Sequence, residues 1–137
     1  MPTQPHVNPL AQPAAPVITV LVADAEADMR TYVARCLHFG APATMQVLEA
    51  ATGAAALAHA STADLIVLDL NLRDADDTPF AQALSTEPAL RHTPTLVLTN
   101  RDPGRFSVPT LPRLAVLTKP FNARTLRSKV RDLLQAC

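Results

Sequence analysis

The apolar positions of this chain follow two rhythms that alternate. "VITVLVA" (17–23), "DLIVLDL" (64–70), "TPTLVLT" (93–99) and the shorter "LAVLT" (114–118) are nearly continuous apolar runs rich in Val, Ile and Leu. Such runs predict strands buried on both faces. "TMQVLEA" (44–50) also reads as a strand. Between these stretches the spacing changes to three and four. "EADMRTYVARCLHF" (26–39) places Met29, Val33, Cys36 and Leu37 on one helical face, with Gly40 positioned to stop it. "GAAALAHA" (53–60) predicts a short helix. Thr78 and Pro79 predict the cap and first position of another, "PFAQALST". Asn122 predicts the cap of a last helix with Leu126, Val130 and Leu133 on one face.

Buried strands alternating with helices predict right-handed βαβ units and a parallel sheet covered on both sides. One connection breaks the alternation. "NRDPGRFSVPTLPR" (100–113) contains Pro103, Gly104, Pro109 and Pro112. Interior prolines remove helix donors and clash with the preceding turn, so a loop with at most one helical turn is expected there.

Composition changes the picture in three places. Residues 1–16 hold five of the 13 prolines and no Asp, Glu, Lys or Arg, which predicts a weakly ordered tail outside the folded unit 17–137. Twelve basic residues balance 12 acidic ones, so no overall field gathers nucleic acid or anionic lipid. No apolar run approaches the length of a membrane span, and the N-terminus lacks a secretory pattern, so a cytoplasmic location is expected. Cys36 and Cys137 make no metal or redox spacing, and His6, His38, His59 and His92 are scattered.

Chemistry gathers where the buried runs end. In an open parallel sheet, ligands bind beyond the carboxyl ends of the strands. The first run ends in Asp24, the third strand in Asp69 with Asn71 close behind, the fourth in Thr99, and the fifth in Thr118 and Lys119. Two carboxylates, a hydroxyl and an amine converging on one rim can hold a hard cation and a phosphoryl group. Asp69 is the central acid and a candidate nucleophile towards phosphorus. On the last helix, Arg124, Arg127, Lys129 and Arg131 read as a solvated face.

"VLVADAEADMR", "ADLIVLDLNL", "TPTLVLT" and "VLTKPF" together resemble the signature stretches of the response-regulator receiver domain, in order and approximate spacing, over roughly residues 17 to 136. The resemblance implies a flavodoxin-like, doubly wound α/β fold with strand order 2-1-3-4-5, its fourth helix here shortened or replaced by a loop. It implies that Asp69 accepts the phosphoryl group and that Lys119 contacts the phosphoryl oxygens, before a cis bond to Pro120. Thr99 would follow the phosphoryl group's arrival. Mg2+ would be held by Asp24, Asp69 and the backbone carbonyl of Asn71. The implied partner is a histidine kinase or phosphotransfer protein, with output by protein contact rather than catalysis; the balanced charge and the short apolar runs predict neither nucleic acid nor membrane as partner.

Four positions depart from the family pattern. Ala25 stands where a second acid is usual, which predicts weak Mg2+ binding. Glu26, one residue on, is a candidate replacement ligand. Val116 replaces the usual ring of the fifth strand and has none to swing. The segment 100–113 replaces the fourth helix, and Asp77 stands where glycine is frequent. These departures leave an alternative open: a pseudo-receiver acting as a phosphorylation-independent interaction module. A phosphatase of the haloacid-dehalogenase type fits less well. Its nucleophile lies on the first strand, and the acid pair it needs is missing here.

Overall fold

The computed structural model describes residues 17–39, 44–73, 76–100 and 111–135. The five expected strands all form. They are β1 (Val17–Ala23), β2 (Thr44–Ala50), β3 (Leu65–Asp69), β4 (Thr95–Thr99) and β5 (Leu114–Thr118). All pairings are parallel, in the order β2-β1-β3-β4-β5. Among the described residues there are four helices, α1 (Ala27–His38), α2 (Gly53–Ala60), α3 (Phe80–Thr86) and α4 (Ala123–Gln135).

The period of two along each strand sorts its side chains between two cores. Val20, Val22, Leu65, Val67, Leu96, Leu98 and Leu117 face α1 and α4, where they meet Val33, Leu37, Leu126 and Val130. Leu21, Ala23, Ile66 and Leu68 face the other way, against Ala56 and Ala60 of α2 and Phe80 and Leu84 of α3. Each fully buried Leu or Val contributes about 1.5–3 kcal/mol relative to exposure. Burial on both faces explains why the strand sequences are continuous rather than alternating.

Local chemistry fixes the ends. The Thr52 hydroxyl accepts from the Ala55 N–H at the start of α2. The Asn122 carboxamide accepts from the Thr125 N–H at 2.8 Å, as its spacing predicts. The start of α3 differs by one residue. Pro79 is extended (ψ 128°) and caps the helix, which begins at Phe80. The reason is tertiary: Pro79 bridges Arg73, and the Phe80 N–H donates to the Leu72 carbonyl at 2.8 Å. Asp77 has φ 60°, the left-handed region that glycine enters most easily. Aspartate tolerates it, and Arg73 donates to the Asp77 carbonyl at 2.8 Å. The Lys119-Pro120 bond is cis.

The expected tail 1–16, the Gly40 stop and Cys137 lie outside the described residues. So do residues 101–110, on which the expected loop between β4 and β5 falls. No helix is long and apolar enough to cross a membrane among the described residues.

Candidate functional site

Parallel pairing brings all strand ends to one edge, so residues far apart in sequence meet there. Asp24 follows β1 and extends its ladder, with its N–H donating to the Ala50 carbonyl at 3.0 Å. Its side chain is only 1% exposed. Both carboxylate oxygens are engaged. Oδ1 accepts from the Glu26 N–H at 2.8 Å, and Oδ2 accepts from Lys119 Nζ at 3.3 Å. Arg30 of α1 donates to the Asp24 carbonyl at 2.7 Å and pairs with Glu49 of β2 at 3.0 Å.

Asp69 closes β3 and is 16% exposed. Its Oδ1 accepts from the Asn71 N–H at 3.3 Å and lies 3.8 Å from Lys119 Nζ. Its other oxygen has no donor among the described residues. Burial pushes the Asp69 carboxyl above its ordinary value. The Asn71 N–H and the Lys119 ammonium oppose that, and the charges of Asp24 and Glu26 add to it.

Lys119 stands between the acids with 17% exposure. Its own N–H donates to the Thr99 carbonyl at 2.7 Å, which joins the ends of β4 and β5. Thr99 is buried, one position beyond the Leu98 that pairs with Asp69. Asn71 and Glu26 are exposed. Glu26 is the N-cap residue of α1, and its side chain makes no cap bond. Val116 is half-buried on β5, paired with Val97.

The site therefore joins Asp24, Asp69 and Lys119 by side-chain contact, Asn71 through its N–H, and Thr99 through strand register. Sequence reasoning missed Arg30 and Glu49. A signal existed: a cation in the first turn of a helix opposes the helix dipole and needs a local partner.

No group of three or more His, Cys, Asp or Glu side chains is gathered for a metal among the described residues. The oxygens that the contacts gather at the rim are those of the Asp24 and Asp69 carboxylates. Such hard oxygens fit Mg2+, which commonly takes one or two carboxylates and keeps several waters. Lys119 already holds Asp24 Oδ2, so a cation there must share that oxygen with the ammonium.

Comparison with known proteins agrees with this geometry. The sequence matches the response regulator receiver domain over residues 20–131. The chemotaxis response regulator CheY4 of Vibrio cholerae is 28% identical, with 87% of this chain and 100% of that chain covered and a TM-score of 0.71. The receiver domain of the hybrid histidine kinase CckA is 25% identical, with coverage of 85% and 99% and a TM-score of 0.61. A CheY-like receiver protein from Methanospirillum hungatei is 19% identical, with coverage of 87% and 94% and a TM-score of 0.66; at that identity it speaks for the fold alone. No curated protein matches the sequence.

Proposed function

This chain belongs to the response regulator receiver family of two-component signalling, and we propose that it accepts a phosphoryl group on Asp69. Receiver domains work as signalling modules with histidine kinases or phosphotransfer proteins, and they typically bind Mg2+. The observation that carries the proposal is the contact of one ammonium, Lys119, with both rim carboxylates at 3.3 and 3.8 Å.

In the proposed step, an Asp69 carboxylate oxygen attacks the phosphorus of a phosphohistidine. An O–P bond forms as the P–N bond breaks, and the departing imidazole nitrogen keeps the electron pair and takes up a proton. Asp69 becomes an acyl phosphate. Lys119, already within reach of Asp69, stabilises charge on the transferred oxygens. Asp24, pinned by the Glu26 N–H, orients the acidic side of the pocket. Mg2+, held by Asp24, Asp69 and the Asn71 carbonyl, would offset the phosphoryl charge. Its binding is weak in this proposal because Ala25 supplies no oxygen, and exposed Glu26 is the candidate substitute. The modification adds a group of roughly −2 charge at a half-buried position, and the buried Thr99 hydroxyl follows it. Output then passes by protein contact.

The test is intact mass after incubation with acetyl phosphate across a Mg2+ series, beside Asp69→Asn. A base-labile adduct that needs Mg2+ and vanishes in the variant supports phosphoryl acceptance. No adduct at any Mg2+ concentration, from folded protein, favours an interaction module that works without phosphorylation.

A further inference from the structure

Arg30 lies in the first turn of α1, where its charge meets the positive end of the helix dipole. A cation there is disfavoured unless partners hold it. Arg30 has two, and neither is on its own helix. Its Nε donates to Glu49 Oε1 of β2 at 3.0 Å, and its Nη1 donates to the backbone carbonyl of Asp24 at 2.7 Å. The Arg30 side chain is only 16% exposed, which sets this pair apart from the solvated ion pairs that contribute little.

Asp24, Ala25 and Glu26 connect β1 to α1, and Arg30 grips both ends of that connection. Its side chain holds the Asp24 carbonyl, and its backbone N–H donates to the Glu26 carbonyl at 3.1 Å. From the other side, the Asp24 N–H donates to the carbonyl of Ala50, the neighbour of Glu49 in β2. One strand end therefore holds the Asp24 N–H directly and the Asp24 carbonyl through Glu49 and Arg30. With both backbone groups fixed, the carboxylate is aimed between the Glu26 N–H and Lys119.

We propose that Arg30, aligned by Glu49, is a positioning residue for the Asp24 carboxylate and, through it, for a cation bound at this rim. The proposal rests on the phosphoryl-acceptor reading of the rim and deepens it. Ala25 carries no oxygen, so the orientation of a cation beside Asp69 falls on Asp24. Mg2+ demands near-ideal octahedral geometry, and a small displacement of that carboxylate is felt at the metal. The guanidinium presents Nε and Nη1 in a fixed planar fork, whereas a lysine ammonium is a single point on a flexible stem. By its charge alone Arg30 repels a cation, so its removal would tighten Mg2+ binding. By its position Arg30 supports the site, so its removal weakens binding. Charge and position thus act with opposite signs.

The test compares the full chain with Arg30→Met, Arg30→Lys and Glu49→Ala. Arg35→Met, in the exposed last turn of the same helix, is the control. Mg2+ binding is read by calorimetry, and solvent exchange of the Glu26 N–H is read by NMR in metal-free protein. Arg30→Met should raise the Mg2+ Kd roughly 10-fold and speed exchange at Glu26 by a similar factor, while amides of β3 and β4 keep their rates. Arg30→Lys should restore only part of each loss. Glu49→Ala should move both readings the same way by less, and it carries the test if Arg30→Met does not fold. Unchanged or tighter Mg2+ binding overturns the proposal. So does a Glu26 exchange rate that stays constant, or one that rises only together with the rest of the sheet. The Glu26 reading needs neither metal nor phosphoryl donor, so it decides the role of Arg30 even if the wild type forms no adduct. A wild type without adduct counts against the phosphoryl-acceptor reading alone.

Discussion

The ends of β1 and β3 offer the same functional group in opposite circumstances. Asp24 is fully buried, and both its oxygens already have donors. Asp69 is partly exposed, engaged at one oxygen and pushed towards protonation by burial and by its acidic neighbours. A carboxylate whose lone pairs are committed can orient its neighbours but has little to offer an incoming phosphorus. A carboxylate held at one oxygen keeps the other for chemistry. In the proposed transfer the two acids would divide the work between positioning and attack, a division that follows from their hydrogen bonding rather than from residue type.

The sharpest way to break that division is to remove each acid in turn. Asp69→Asn should abolish the acetyl phosphate adduct, read by intact mass, whereas loss of Asp24 should slow its formation. Lys119→Met removes the ammonium that serves both acids, and the rate of adduct formation should fall roughly 100-fold. Ala25→Asp restores an oxygen beside Asp24 and should lower the Mg2+ concentration for half-maximal adduct roughly 10-fold. An unchanged Mg2+ requirement there would mean that Glu26 already fills the position.

Stability separates the acids more finely. Asp24→Ala leaves the Glu26 N–H without its acceptor and should cost about 1–3 kcal/mol in urea unfolding. Asp69 should act in the opposite sense. Its folded carboxyl titrates above the ordinary value, so the native state binds that proton more tightly than the unfolded chain. The stability it contributes is present below the ordinary carboxylate range and is lost as pH rises through the raised value. Asp69→Asn should thus gain in thermal midpoint over the wild type as pH rises through that window. A constant difference between the two across pH 4–8 would contradict the assignment.

Much of this was legible in the sequence because the strands are buried on both faces. An apolar run with an acid or a lysine at its end places that polar group at the edge of a parallel sheet, and Asp24, Asp69 and Lys119 meet there. Strand β5 falls on the residues its pattern predicts, and Asn122 caps α4 as expected. The start of α3 was not legible, because a hydrogen bond from Phe80 to Leu72 outweighs the helix-starting preference of Pro79. Asp77 could be singled out, but its left-handed backbone depends on the turn that Arg73 closes around it. Arg30 was overlooked because helical spacing says nothing about a strand end lying beside the first turn.

The ion pair between Lys119 and Asp24 spans 95 residues of chain. Contacts of such separation cost more loop-closure entropy than local ones. A partly folded chain in which β1 and β3 have paired but β5 has not docked would hold two carboxylates side by side without their ammonium. Such a species would take up a phosphoryl group poorly, however native its central strands. On the proposed phosphoryl acceptance, the rate at which Asp69 becomes reactive during refolding would be a clock for the docking of the last strand. Read by quenched mass spectrometry, it would time the completion of this sheet from within the site itself.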